Sequence, residues 1–186
     1  FGRIGRAIFR NILVKKAFDI VFINDVNKDI NNLAYLLKYD TTYGKLNNKI
    51  QVKNNFLFID DHKVEVSNFK KISDVPWDLS GVNLIIDSSG VSENLKEKNR
   101  LRKKGVQFCV VTNSPPENKV DKTIIMGVNH NTIDFEKDFL ISSSICDANA
   151  FTPVIKVLDD EYGISSGFLT TLHPWLGYQN LLDGPS

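Results

Sequence analysis

The sequence lacks any long apolar run, and this absence limits the kinds of protein it can encode. No apolar stretch approaches the roughly 20 residues that a membrane-spanning helix needs, and no charged, apolar and small-residue signal segment opens the chain. The net charge is only +1, from 23 basic and 22 acidic side chains. The overall charge therefore favours neither a nucleic acid nor an anionic membrane as partner, and we expect a cytoplasmic protein.

Cysteine is also scarce. Cys109 and Cys146 are the two cysteines in 186 residues, and their spacing matches neither a disulfide framework nor a metal motif. The remaining composition, 42% apolar and 24% charged, is that of a globular chain able to form one substantial core. The chain opens on "FGRIGRAIFR" without a Met and ends on "LLDGPS", so we expect a piece of a longer protein.

The spacing of apolar residues alternates between helical and strand periods. Helices are predicted at 3–16, 30–39, 92–104 and 149–162, and strands at 19–24, 82–90, 106–112, 122–129, 139–144 and 166–173. Strict alternation over 49–69, with turn signals at Asn54-Asn55 and Asp60-Asp61, predicts inserted antiparallel hairpins. The whole pattern predicts an α/β fold with a mostly parallel sheet and crossover helices.

Two glycines and an aspartate form the first candidate site. Gly2 and Gly5 open the first predicted helix, and Asp25 follows at the tip of the next strand. In a dinucleotide-binding turn, glycines let the backbone approach the pyrophosphate, and an acidic residue at that tip accepts hydrogen bonds from ribose. Each part has an ordinary alternative, since the glycines can form a simple tight turn and Asp25 can cap the following helix.

Small residues at the end of the predicted strand 82–90 form a second candidate. The segment "SSG" (88–90) follows Asp87, and small residues at a carboxyl strand end leave room for a ligand in a doubly wound sheet. An ordinary strand-to-helix turn explains the same residues equally well.

Cys146 and His173 form the third candidate. Cys146 comes just before the predicted helix at 149–162, whose free amides and positive dipole end favour a thiolate. His173 closes a predicted strand, from which an imidazole could pair with the thiolate as acid and base. A lone cysteine is often only a small buried side chain, and we interpret Cys109 in that way. His62 and His130 are interpreted as surface or structural residues.

Taken together, the motifs identify a family. The chain resembles glyceraldehyde-3-phosphate dehydrogenases, including the erythrose-4-phosphate dehydrogenase branch, from end to end in these segments: "FGRIGR", "INDVNKDINNLAYLLKYDTTYGKL", "DSSGVSENLKEK", "IMGVNH", "ISSSICDANAFTPVIKVLDDEYGISSG" and "TTLHPWLGYQNLLDGP". The resemblance implies an NAD-binding domain at 1–145 that lacks its first strand, and the beginning of a catalytic domain at 146–186. It also implies a homotetramer when the protein is complete, with a small aldehyde as substrate.

The resemblance also implies roles for individual residues. Cys146 matches the nucleophile and His173 the catalytic histidine, which would act through a thiohemiacetal and a thioester on Cys146. Asn149, Asp147 and Gln179 fall at substrate positions. The NAD positions are Gly2, Arg3, Ile4, Gly5, Asp25, Ser89, Gly90 and Asn113. No metal is implied.

The sequence departs from the family where phosphate is held. The usual Ser-Cys-Thr-Thr-Asn is here Ile145 to Asn149, "ICDAN", so three hydroxyls are lost and a carboxylate is gained. Leu176 and Tyr178 replace a threonine and an aspartate that help to hold the substrate's phosphate. We therefore expect weak phosphate stimulation of thioester release, unless Asp147 turns away to cap the helix. The alternatives are a non-phosphorylating relative acting on another aldehyde, and an NAD-binding homologue with impaired catalysis.

Overall fold

The computed structural model describes residues 1–173. The α-helices among them are α1 (Arg3–Lys15), α2 (Ile30–Lys38), α3 (Lys98–Lys103) and α4 (Cys146–Tyr162). The strands are β1 (Phe22–Asn24), β2 (Tyr39–Asp40), β3 (Gly44–Lys45), β4 (Ile50–Lys53), β5 (Phe56–Ile59), β6 (His62–Ser67), β7 (Leu84–Asp87), β8 (Phe108–Val111), β9 (Lys122–Thr123) and β10 (Leu140–Ser142). Short 3₁₀ turns lie at Ile72–Asp74, Ser92–Glu97, Glu117–Lys119 and His130–Thr132.

The larger strands form two four-stranded sheets. One is wholly parallel, in the order β7-β8-β10-β9. In the other, ordered β1-β6-β5-β4, β1 is parallel to β6 and the other neighbours are antiparallel. The predicted α/β class and the inserted hairpins are confirmed, and the parallel strands are distributed over two sheets.

The hairpins follow from alternating burial and from two turn residues. Leu57 and Ile59 on β5 and Val64 on β6 are buried on one face of the sheet. Asn54 and Asp60 have positive φ values of 56° and 52° at the two turns, a conformation that Asn and Asp tolerate better than most residues. The local sequence therefore sets both the register and the inward face.

Two buried clusters form the core. One packs α1 and α2 on the hairpin sheet through Phe9, Leu33 and Leu37. The other surrounds β7 and β8 and includes Trp77 and Phe139. Phe22 on β1 packs against Trp77 with ring centroids 5.3 Å apart, so an aromatic contact joins the first sheet to the second cluster.

A buried arginine ties α1 to the end of α2. The Arg10 guanidinium donates to the Leu37 carbonyl at 2.6 Å and to the Gly44 carbonyl at 3.0 Å. Its side chain is buried, although α1 otherwise presents an amphipathic surface. Leu37 is buried and Gly44 is exposed, so the guanidinium satisfies a buried carbonyl of α2 and an outer carbonyl of β3 and holds β3 against α2.

Several predicted boundaries are wrong. Residues 166–173 form no strand, because no other strand of the described chain lies beside them to complete a ladder, and Phe168 and Leu172 are fully exposed. The predicted strand at 122–129 shortens to β9, since a turn follows in which Gly127 has φ 82°. The predicted helix at 92–104 divides into a 3₁₀ turn and α3. Among residues 1–173, no helix has both the length and the apolar character required to cross a membrane.

Candidate active site

The carboxyl ends of three parallel strands meet at one edge of the second sheet. Strands β7, β8 and β10 run in the same direction, so the segments that follow them, 88–90, 112–113 and 143–146, lie at that edge. Each segment contains residues predicted from the sequence as site residues. Ligands of parallel α/β sheets bind at this edge.

The start of α1 adjoins this edge. Gly2 is the residue that precedes α1, with an extended backbone and open space around its Cα. A Cβ on Gly5 would lie 2.7 Å from the Ser88 Oγ, so glycine allows α1 to approach the turn after β7 closely. The first and second predicted sites are therefore neighbours. Arg3 and Ile4 lie on the first turn of α1, between Gly2 and Gly5.

Asp25 follows β1 and has an ordered carboxylate. Its Oδ1 accepts the Asn27 amide at 2.8 Å and its Oδ2 accepts the Phe1 terminal ammonium at 2.5 Å. Partial burial acts to raise the pKa of Asp25, but these hydrogen bonds and the positive charges of Phe1 and Arg6 outweigh it and lower the pKa. The alternative that Asp25 caps the next helix is wrong, because Asp29 caps α2 by accepting from the amides of Asn31 and Asn32.

Asp87 organises the turn at 88–90, and sequence reasoning did not include it in the site. Its carboxylate accepts the Ser89 amide at 2.9 Å and the Asn94 side-chain amide at 2.8 Å. Gly90 has φ 71°, which glycine adopts at little cost. An aspartate that accepts the amide two residues later is a recognised turn signal, so "DSS" could have predicted this contact.

Asn113 lies beyond the end of β8. Its side chain is exposed, and its carbonyl accepts a hydrogen bond from the Ser142 hydroxyl at 2.5 Å. This contact joins the segments that follow β8 and β10.

The turn from β10 into α4 carries the thiol. Ser144 has φ 64°, an uncommon conformation for a non-glycine residue and one that recurs at functional sites. The Asn149 side chain donates to the carbonyls of Ser143 and Ile145, both at 2.8 Å. The helix begins at Cys146 and not at 149 as predicted. The two hydrogen bonds of the Asn149 side chain close the turn that precedes Cys146. Sequence reasoning missed Ser144, since serine carries no strong signal for a positive φ.

Cys146 lies between a carboxylate and an imidazole. Its exposed Sγ is 3.6 Å from the His173 Nε2 and 3.4 Å from the Asp147 Oδ1, to which the thiol donates. The residue at the helix cap, Ile145, offers no side-chain hydrogen bond. In the described chain, Asp147 therefore faces the thiol, against the alternative that it turns away to cap α4.

The other cysteine and the other histidines have structural surroundings. Burial, with a smaller contribution from the Asp87 charge, raises the pKa of the Cys109 thiol to about 12. His62 contacts the Ile20 carbonyl at 2.6 Å, and the His130 Nδ1 accepts the Gly127 amide. The interpretation of these three residues as structural is confirmed. The predicted substrate residue Gln179, with Leu176 and Tyr178, lies outside the described residues.

Comparison with known protein families identifies two segments of the chain. Residues 1–95 match the model for the glyceraldehyde 3-phosphate dehydrogenase NAD binding domain. Residues 145–186 match the model for the C-terminal domain of the same proteins. The chain belongs to the glyceraldehyde-3-phosphate dehydrogenase family.

Individual relatives agree with this assignment. The chain is similar to "glyceraldehyde-3-phosphate dehydrogenase 1" of Bacillus subtilis, with 35% identity over 185 residues, and to that of Schizosaccharomyces pombe, with 35% over 186. It is also similar to the glyceraldehyde-3-phosphate dehydrogenase of Mycoplasma pneumoniae, with 36% over 187. Each alignment covers 100% of this chain and 54% of the relative. The chain spans about half the length of the curated relatives it matches.

The residues at the glyceraldehyde-3-phosphate dehydrogenase NAD positions fit a dinucleotide. Gly2, Arg3 and Ile4 are exposed at the start of α1, with open space beside Gly2, and helix N-terminal amides bind phosphate oxygens. The Asp25 carboxylate lies directly after the carboxyl end of β1. Each of its oxygens has a second acceptor position beyond the hydrogen bond it already makes.

Proposed function

We propose that the complete protein oxidises an aldehyde with NAD, which is the type of reaction that the name glyceraldehyde-3-phosphate dehydrogenase describes. In this proposal Cys146 is the nucleophile and His173 is the acid and base. The observation that carries this proposal is the 3.6 Å separation of the Cys146 Sγ and the His173 Nε2. A nucleophile within reach of a base is the arrangement that covalent catalysis requires. Family membership supports the same reaction.

NAD, when bound, would supply the acceptor for a hydride. The first turn of α1, from Gly2 to Gly5, would hold the pyrophosphate, and Asp25 would accept hydrogen bonds from a ribose. Ser89, Gly90 and Asn113, at the carboxyl edge of the second sheet, would contact the remainder of the dinucleotide. A carboxylate at the ribose position repels a 2′-phosphate, so we propose NAD and not NADP as cofactor.

His173 would move two protons. It takes the thiol proton from Cys146 and returns it to the carbonyl oxygen as the sulfur–carbon bond forms, which gives a thiohemiacetal. It then takes the hydroxyl proton while a hydride leaves the same carbon, which gives a thioester on Cys146. The exposed positions of both residues leave this pair accessible to an aldehyde.

The thioester on Cys146 must be released by an acceptor molecule. We propose that this acceptor differs from the inorganic phosphate that phosphorylating relatives use. Asp147 lies 3.4 Å from the Cys146 Sγ, where its charge repels an anion that approaches the thioester. Ile145 and Ala148 offer no side-chain donors to hold phosphate oxygens. Water is then the favoured acceptor, with Asp147 or His173 positioned to remove its proton, and the product is an acid.

We further propose that residues 1–145 form the NAD-binding domain and 146–186 the beginning of the catalytic domain. The matched segments 1–95 and 145–186 support this division. On the basis of the sequence resemblance we also propose a cytoplasmic homotetramer. Sedimentation equilibrium of the complete protein gives its mass in solution. A mass of four chains is expected, and the mass of a single chain would contradict the proposed tetramer.

The test of the activity is NADH formation by the full-length protein with a panel of aldehydes. The panel pairs glyceraldehyde 3-phosphate and erythrose 4-phosphate with their unphosphorylated counterparts, each with and without inorganic phosphate. Cys146→Ser and His173→Asn should lose turnover, whereas Cys109→Ser at the buried cysteine should retain it. NAD binding without NADH formation from any aldehyde would instead support a cofactor-binding homologue that has lost catalysis.

A further inference from the structure

Three side chains at the start of α4 bring three different metal-ligand atoms together. The Cys146 sulfur, an Asp147 carboxylate oxygen and a His173 ring nitrogen all lie within 4.8 Å of one another. Two of these separations are 3.4 Å, from sulfur to oxygen, and 3.6 Å, from sulfur to nitrogen. Thiolate, imidazole and carboxylate are the ligand types that zinc uses in proteins.

Two of the three separations match tetrahedral zinc geometry. Zinc lies about 2.3 Å from a thiolate sulfur and about 2.0–2.2 Å from nitrogen or oxygen, so its sulfur and a second ligand are about 3.6 Å apart. The two sulfur distances are within about 0.2 Å of that value. The third, between oxygen and nitrogen, is at most 4.8 Å and must close to about 3.4 Å. The side chains have room to rotate, because Cys146 and His173 are exposed and Asp147 is half-buried.

We propose that Cys146, Asp147 and His173 form a binding site for zinc(II), with the fourth coordination position open to solvent. Three protein ligands with one open position is the arrangement of accessible zinc sites. Binding replaces the thiol proton by zinc, so the sulfur forms a bond to the metal and one proton is released to solvent. The site takes a borderline-soft cation and discriminates against magnesium and calcium, which prefer oxygen ligands.

Asp147 is the residue that makes the site. A thiolate next to a carboxylate carries two like charges at 3.4 Å, and a divalent cation between them neutralises both. Since threonine is usual at this position in the family, and a hydroxyl is a poor zinc ligand, the carboxylate supplies a third ligand that the usual residue would not. Zinc bound here also occupies the sulfur lone pair that attacks an aldehyde. Zinc should therefore inhibit aldehyde oxidation reversibly. This inhibition rests on the proposed function, whereas zinc binding itself does not.

Cobalt(II) and zinc test the site on reduced, chelator-treated, cofactor-free full-length protein. Cobalt should produce a thiolate-to-metal charge-transfer band in the absorption spectrum. Zinc should bind once per chain, as measured in competition with a chromophoric chelator, and it should remove the cobalt band. Asp147→Asn and Asp147→Thr should weaken zinc binding by about tenfold or more, and Cys146→Ser should abolish the band. Glu161→Gln, near the far end of α4, is the matched control and should bind as the wild type does.

Three results would overturn the proposal. These are the absence of the cobalt band in the wild type, a band that persists in Cys146→Ser, and equal zinc affinity in wild type and Asp147→Asn. Circular dichroism of each variant separates lost ligands from lost folding. Because these readouts do not use turnover, failure to oxidise any aldehyde would refute the proposed function and leave the metal result unaffected.

Discussion

Replacement of Asp147 by threonine should convert weak phosphate stimulation into strong stimulation. A carboxylate and a phosphate dianion about 4 Å apart repel each other by about 1 kcal/mol per charge pair in a water-like dielectric. The dianion has two charges, so the repulsion is about 2 kcal/mol. The water-like value applies because Cys146 is exposed and Asp147 only half-buried in the described chain, and burial by the rest of the protein would enlarge the repulsion. The corresponding gain in phosphate affinity is about 30-fold, before any hydrogen bond from the new hydroxyl.

The assay is the initial rate of NADH formation across a series of phosphate concentrations, at constant ionic strength and with a saturating aldehyde. Asp147→Asn is the matched variant, because it removes the charge and retains the size. We expect half-saturation at much lower phosphate in both variants, and lowest in Asp147→Thr. Strong, saturable activation of the wild-type protein by phosphate would refute this reasoning, as would wild-type behaviour in Asp147→Asn.

The structure makes three further predictions. Iodoacetamide at pH 8 should label Cys146 long before Cys109, whose pKa of about 12 leaves about one thiol in ten thousand ionised; peptide mass spectrometry gives the order, and earlier labelling of Cys109 would contradict it. NAD should bind more tightly than NADP, and Asp25→Ser should remove most of that preference in fluorescence titrations; equal affinities in the wild type would be evidence against the ribose assignment. Arg10→Met should lower the free energy of unfolding in urea by about 1–3 kcal/mol, because the buried Leu37 carbonyl loses its donor, whereas the exposed Lys15→Met should change it little.

Local signals in the sequence were sufficient for most of the fold. The hairpins follow from alternation and from turn residues such as Asn54 and Asp60, whose conformations depend on their immediate neighbours. The strand predicted at 166–173 could not be judged from local signals, because a strand also depends on a pairing partner elsewhere in the chain. A strand exists only where another pairs with it, and residues 166–173 have no neighbouring strand within the described chain. The division of the parallel strands into two sheets is likewise a property of pairing and not of apolar pattern.

The candidate site was predictable to a similar degree. Its residue types and chain order predicted the pairing of Cys146 with His173, and the structure places their reactive atoms 3.6 Å apart. Their catalytic roles stay predictions. The positive φ of Ser144 and the orientation of Asp147 toward the thiol were not predictable, because the same short sequence is compatible with an aspartate that caps the helix. Side-chain orientation at the turn decides between those arrangements.

The most direct test of the central claim is intact-protein mass spectrometry during a single turnover. Full-length protein with bound NAD is mixed with an aldehyde that it oxidises, quenched in acid within the first turnover, and digested to locate the adduct. We predict an acyl group on Cys146, formed at the same rate as NADH and absent in Cys146→Ser. NADH formation without a covalent adduct, or an adduct on another residue in active protein, would contradict the claim that Cys146 is the nucleophile.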